Sequence, residues 1–216
     1  MPALPFAPFD PDIPTIVTER RLPHWEQAGT MYFITFRLED SVPQPVLEQW
    51  KRERQNWLRR YPEPRTPEQD QEFRRMFSRK IEEHLDSGHG SCLLANPTIS
   101  EIVEKALLHF DGERYHLGAY VIMPNHVHLL VIPGPGHKLR SILHSWKSFT
   151  GKAINKTQGK TGNVWQEESY NHIVRSEAQR WHFEEYIRRN PVVAKARPGT
   201  SRLGHGSAGE LPVNIE

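Results

Sequence analysis

The sequence predicts an α+β fold, an antiparallel sheet with helices packed on it. Three observations carry that prediction. Residues 31–38 (Met-Tyr-Phe-Ile-Thr-Phe-Arg-Leu) have the β-branched and aromatic content of a strand. Residues 115–123 and 126–132 read as two more strands that meet at Pro124-Asn125. Between these regions Ile99, Ile102, Val103, Ala106, Leu107 and Phe110 recur at the spacing of an amphipathic helix.

The remaining elements follow in order. Residues 1–20 are proline-rich and predict an extended arm. Residues 44–60 carry Val46, Leu47, Trp50, Trp57 and Leu58 at helical spacing, and Pro62 and Pro64 break that helix. Thr66-Pro67-Glu68-Gln69 is an N-cap, a proline at the first helical position and a capping-box glutamine. The helix it opens has a packing stripe of Phe73, Met76, Phe77, Ile81 and Leu85. Gly88 and Gly90 mark a turn, and Asp111-Gly112 ends the helix that holds Ile99. After the strand pair, Ile142, Leu143, Trp146, Phe149, Ala153 and Ile154 outline another helix, with Arg140, His144, Lys147 and Lys152 on its other face. Residues 155–163 read as a mobile loop, and 165–175 as extended. Ser176-Glu-Ala-Gln179 opens a last helix that Pro191 is expected to stop at Asn190. Residues 196–216 are rich in Gly, Ser and Pro and predict a disordered tail. The domain proper is then 21–195.

Composition removes several classes of function. A length of 216 residues supports one sizeable core. The single cysteine, Cys92, excludes an intrachain disulfide and a cysteine-based zinc site. No apolar run approaches the roughly 20 residues of a membrane span. Residues 1–10 lack the basic and apolar regions of a secretory leader, so a cytoplasmic, nucleoid-associated protein is expected. The net charge of +2 hides an asymmetry. Between Glu113 and Glu167 there is no acid, but there are Arg114, Lys138, Arg140, Lys147, Lys152, Lys156 and Lys160. A cationic stretch without acids points to a phosphate polyanion as partner. A merely solvated lysine face is the plainer alternative.

His126 and His128 lie in the middle of that stretch. Strand side chains alternate faces, so the two imidazoles share one face with Val127 on the other. Two rings side by side on a strand make half of a metal site. The last helix offers the rest. His182, Tyr186 and Asn190 follow at i, i+4 and i+8, near one helix face. Asn190 has an amide oxygen suited to a hard cation, and Tyr186 a phenolic oxygen. Imidazole alone favours Zn²⁺, Cu²⁺ or Ni²⁺; with a carboxamide oxygen and water positions the set equally permits Mg²⁺ or Mn²⁺. A divalent ion on a phosphodiester neutralises charge and aligns in-line attack, and an assisted tyrosine can serve as nucleophile.

These residues resemble a known family. Met123-Pro-Asn-His126-Val-His128-Leu-Leu130 resembles the motif of the HUH single-strand endonucleases. Phe183-Glu-Glu-Tyr186-Ile-Arg-Arg-Asn190-Pro191 is similar to the tyrosine helix of the single-tyrosine HUH transposases. Arg21-Leu-Pro-His-Trp25, the following Tyr32-Phe-Ile-Thr-Phe-Arg37, and Val164-Trp165-Gln166 are similar to the REP-associated tyrosine transposases. The resemblance spans roughly residues 20 to 195. It implies a ferredoxin-like sheet and metal-dependent cleavage of single-stranded DNA near a palindromic hairpin. It implies Tyr186 as the nucleophile that becomes linked to a 5′-phosphate, and His126, His128 and Asn190 as ligands of Mg²⁺ or Mn²⁺. Arg37, Lys138, Arg140, Lys147 and Lys152 are expected to bind DNA phosphates, with Trp165 stacking on a base. A monomer is expected, with a dimer as the alternative. Residues 44–98 exceed a minimal version of this fold and read as a helical insertion.

Plainer readings stand beside these. Tyr170 is a rival nucleophile, although it lacks a carboxamide at i+4. Asn190 is also an ordinary residue before a proline, and Trp165 an ordinary core tryptophan. His172 and His182 fit either a supporting shell or the surface. A domesticated relative could hold hairpin DNA without cutting it. A metal-dependent amidohydrolase barrel fits poorly, because it needs about 250 residues and places its His-x-His near the N-terminus.

Overall fold

The computed structural model describes residues 16–19, 23–26 and 29–208. A short antiparallel pair, β1 (Ile16–Glu19) and β2 (Pro23–Glu26), precedes the main body. The rest of the expected arm, and Arg21-Leu22, lie outside the described residues. Next come β3 (Tyr32–Arg37), α1 (Gln44–Arg60) and α2 (Pro67–Asp86). Then follow α3 (Pro97–Leu108), β4 (Tyr115–Ile122), β5 (His126–Pro133) and α4 (Leu139–Gln158). The described chain closes with β6 (Tyr170–Ile173), α5 (Glu177–Val193) and β7 (Arg202–His205).

Among the described residues the main sheet has five strands in the order β6-β3-β5-β4-β7, antiparallel throughout. The series β3-α3-β4-β5-α4-β6, with its last strand beside its first, is the split βαβ arrangement of ferredoxin-like folds. β7 adds a strand to the free edge of β4.

Each face of the sheet buries its own core, so the central strand β5 is buried along its whole length. Val127, Leu129 and Val131 point to one face, where α3 and α4 bring Ile99, Val103, Leu107, Ile142, Trp146 and Ile154. Leu130 and Ile132 point to the other, against Met31, Phe33 and Ile187 of α5. Strand alternation puts His126 and His128 on that second face, under α5. The register is fixed by pairing: Thr35 lies opposite His128 and Arg37 opposite His126.

The helices α1 and α2 occupy most of residues 44–98 and form a peripheral pair. α1 has no fully buried residue. It meets α2 through Trp57 on Phe73, with ring centroids 4.9 Å apart, and through an ion pair from Lys80 to Glu53. The capping box at Thr66 and Gln69 forms as the sequence predicts. The far end of α2 is the buried one: Leu85 is in the core, and Asn125 donates to the carbonyls of Leu85 and His89 at 3.1 and 3.0 Å.

Three expectations are corrected. α5 does not stop at Asn190 but runs to Val193 with Pro191 inside it. Proline removes one N–H, yet Ala194 and Ala196 still donate to the carbonyls of Asn190 and Pro191 at 2.9 Å each, closing the last turn. α4 continues to Gln158, so the expected loop 155–163 begins as helix, and Gly159 ends it in the left-handed region. The tail expected to be disordered from residue 196 contains β7, and residues 209–216 lie outside the described residues. A Cβ at Gly204 would collide with the Tyr120 ring, so the glycine that suggested disorder is what lets β7 lie against β4.

Candidate active site

The histidine pair is held from behind. His126 Nδ1 is 2.7 Å from Asn125 Oδ1, and His128 Nδ1 is 2.7 Å from Thr35 Oγ1. Asn125 spends its amide N–H groups on the carbonyls of Leu85 in α2 and of His89 just beyond it, so its oxygen faces His126 and accepts the Nδ1 proton. That leaves His126 Nε2 a lone pair, and this atom is buried with no hydrogen-bond partner. The two rings stand 4.5 Å apart between centroids, both fully buried. Burial holds both imidazoles neutral, His126 pushed down to about 3 and His128 well below its ordinary value with His126 adding to the effect. Neutral imidazole is the form that binds a metal.

α5 supplies the facing wall. Phe183 stacks on Phe33 at 4.4 Å, and Phe33 stacks in turn on His128 at 5.5 Å, which sets where α5 rests on the sheet. One turn of helix then places Tyr186 Oη 3.4 Å from His128 Nε2, a long hydrogen bond within one chain. Asn190 is 1% exposed, and its Oδ1 is a buried acceptor with no partner. Its Nδ2 donates to Asp86 Oδ1 at 3.3 Å. His182, by contrast, is exposed. Four residues of α-helix turn through somewhat more than a full circle, so a residue eight positions before Asn190 drifts off its face.

Two carboxylates from α2 shape the electrostatics. Burial, and then Glu82 and Asp86, push the Tyr186 phenol up, while a hydrogen bond from Asn190 opposes them. Burial, Asp86 and Glu83 push the Glu82 carboxyl up to about 7, and burial raises Asp86. Glu82 therefore keeps a proton in the folded chain at pH values where the unfolded chain has lost it. Its contribution to stability is present below about 4.5 and is lost as pH rises from there to about 7. Replacing Glu82 with Gln is expected to stabilise the protein by about 1–2 kcal/mol at pH 8, a figure reduced for partial exposure, with no gain at pH 4.5. Urea melts at the two pH values test this, and equal midpoints at pH 8 would refute it.

The donor set suits a hard or borderline divalent ion. Two neutral imidazoles, one of them with an orphan Nε2, and an orphan carboxamide oxygen belong to the same buried cluster as a phenol. Unpartnered buried polar atoms are costly and call for a ligand. Among the described residues no group of three His, Cys, Asp or Glu side chains is placed to hold a metal. The side chains that could offer donors are His126, His128 and Asn190.

The expected DNA-contacting residues are distributed differently. Arg37 belongs to the histidine face of the sheet by strand alternation, is half-buried and bonds Ser41 Oγ at 3.2 Å. Lys138, at the N-cap of α4, and Arg140 and Lys152 on it are exposed, on the opposite layer of the sheet from the histidines. Arg140, His144, Lys147, Lys152, Asn163 and Asn171 are among the residues lining a cleft of about 520 Å³ between α4 and the segment before β6. Lys147 Nζ donates to the carbonyls of Gln166 and Glu167 at 2.9 and 3.1 Å, and burial pushes it down to about 8. Trp165 also lines that cleft but is mostly buried: it is 6% exposed, donates to Thr150 Oγ1 and meets the Phe36 ring edge-on.

Over residues 93–190 the chain matches the family described as Transposase IS200 like. The IS200-like segment runs from the turn before α3 to Asn190, and it contains both histidines, Tyr186 and Asn190. It leaves out β3, α1 and α2. No curated protein matches the sequence. Among solved structures, a REP-associated tyrosine transposase bound to a REP hairpin is similar at 17% identity and a TM-score of 0.41, covering 85% of this chain and 81% of that one. A candidate transposase from Deinococcus radiodurans R1 is similar at 14% identity and a TM-score of 0.32, covering 81% and 98%. The family match, and not these likenesses, links the IS200-like segment to transposases.

Sequence reading did not reach Asn125, Thr35, Glu82 and Asp86. Asn125 was legible as a turn residue beside the motif. Thr35 becomes a partner of His128 through strand register, and the two carboxylates through the docking of α2.

Proposed function

We propose that the protein is a metal-dependent single-stranded DNA endonuclease and transposase. It cleaves and rejoins DNA near palindromic, REP-like hairpins through a covalent bond from Tyr186 to a 5′-phosphate. One observation carries the reading: Tyr186 Oη lies 3.4 Å from His128 Nε2, in a cluster with the orphan atoms His126 Nε2 and Asn190 Oδ1, inside the IS200-like segment.

His126, His128 and Asn190 would hold Mg²⁺ or Mn²⁺. When bound, such an ion supplies charge neutralisation at a phosphate oxygen and favours the ionised phenol. Tyr186 Oη attacks the phosphorus, the bond from phosphorus to O3′ breaks, and the phenolic proton ends on the departing 3′-oxygen. The phosphotyrosine ester keeps the bond energy, so a 3′-hydroxyl can attack it and restore the strand. Phe33 and Phe183 keep Tyr186 over the pair, and Asn125 and Thr35 keep both Nε2 atoms forward. The protein is read as a monomer, with His126, His128, Tyr186 and Asn190 drawn from the same chain. No described helix is long and apolar enough to cross a membrane.

The test mixes the protein with labelled single-stranded hairpin oligonucleotides that flank its own gene, with Mg²⁺ or Mn²⁺. A denaturant-resistant protein–DNA adduct is expected. Tight binding with no adduct under any divalent ion would favour a hairpin-binding protein instead. Changing Lys138, Arg140 and Lys152 together to Ala is expected to flatten the salt dependence of binding by roughly 2 in slope, at about 0.7 per phosphate contact on a single strand. Anisotropy titrations over a salt series measure this, and an unchanged slope would remove the α4 cations from the interface.

A further inference from the structure

The helix α2 has a second tie to the site, and the inference drawn from it rests on the proposed metal site. We infer that Asp86 is the positioning residue for Asn190 and that α2 is thereby a working part of the active site.

An asparagine amide has a donor end and an acceptor end of nearly equal shape, so its orientation depends on its partners. Asp86 Oδ1 receives Asn190 Nδ2 at 3.3 Å. A carboxylate oxygen only accepts, so the flipped amide would set oxygen against oxygen. Asp86 therefore holds the Nδ2 end and leaves Oδ1 turned away, where it is buried without a partner. The same helix carries both contacts: Tyr186 Oη lies 3.4 Å from His128 Nε2, and Asn190, one turn further along α5, donates to Asp86.

What holds Asp86 in place is tied to the histidines independently. Asn125 donates to the carbonyls of Leu85 and His89, on either side of Asp86, while its oxygen receives His126 Nδ1. Leu85, the preceding residue, is 1% exposed. A single asparagine thus locks the ring of His126 and the end of α2 together. The IS200-like match begins at residue 93, so α2 lies outside the matched segment and yet reaches Asn190 within it.

The test is a Mn²⁺ titration of the full chain without DNA, followed by electron paramagnetic resonance of the free ion. The set is the wild type, His126→Ala, Asp86→Ala and Asp86→Asn. His126→Ala is expected to abolish binding. Asp86→Ala is expected to weaken it about tenfold or more, the usual scale for groups that orient metal ligands. Asp86→Asn, whose amide oxygen accepts the same hydrogen bond, is expected to stay within about threefold of wild type by that same scale. Near-wild-type binding by Asp86→Ala, with His126→Ala dead, overturns the positioning role alone. Equal losses in Asp86→Ala and Asp86→Asn also overturn it, because charge or direct ligation would then be what matters. A wild type that binds no Mn²⁺ overturns the metal site itself and this inference with it.

Discussion

Tyr186→Phe is expected to abolish the covalent protein–DNA adduct, a loss of a thousandfold or more on the scale of removed nucleophiles. The ring stays, so its edge contact with Phe33 at 5.8 Å and its place over His128 at 5.2 Å are kept. The lost hydroxyl makes a long bond of 3.4 Å, so the fold should change by no more than about 1 kcal/mol. A labelled hairpin strand run on a denaturing gel, with a urea melt beside it, separates chemistry from folding. A persisting adduct would move the nucleophile elsewhere, with Tyr170 on β6 the next to replace.

Removing either histidine should be as severe. His126→Ala and His128→Ala are each expected to reduce adduct formation about a thousandfold or more, and chelation of the wild type should match them, because groups acting as one unit do not add. The double variant should be no worse than either single one. The stability outcome differs from that of Tyr186→Phe. His128→Ala strands the Thr35 hydroxyl in a buried place, for about 1–3 kcal/mol; their bond is 2.7 Å. Adduct yields across a Mn²⁺ series, with and without EDTA, provide the check. Single variants that still cleave at wild-type rates would remove the pair from the chemistry.

Much of the scaffold was legible because its signals are local. The alternation in residues 126–132 put both imidazoles on one face, and the Ser176 N-cap started α5 where the sequence said, although the Gln179 side chain accepts from Arg175 N and not from Ser176 N. The Thr66 box did the same for α2. The errors arose where local signals compete with packing. Pro191 was read as a stop, but α5 is docked on the sheet and keeps its last turn. Glycine and serine in the tail suggested disorder, yet the free edge of β4 gave that segment backbone partners and Tyr120 a place for Gly204 to fit.

The basic stretch shows the same limit. Its lysines are neighbours of the histidines in sequence, but α4 crosses to the other layer, so only Arg37 shares the histidine face among the expected phosphate binders. Trp165 reads equally as platform or core until its partners Thr150 and Phe36 are known.

By itself the sequence determined the α+β class, the two histidines on one strand face, and the helix that bears Tyr186 and Asn190. These depend on period-two and period-3.6 spacing and on short capping motifs, which act between residues near in the chain. Only the tertiary structure decided that Tyr186 meets His128, that Thr35 and Asn125 orient the rings, and that Asp86 grips Asn190. The contacts of Tyr186 with His128, Thr35 with His128 and Asp86 with Asn190 join residues 58, 93 and 104 positions apart, and Asn125, next to His126 in the chain, is oriented by Leu85 and His89, 40 and 36 positions away. Burial and strand register select such pairs, and neither is written in the local pattern.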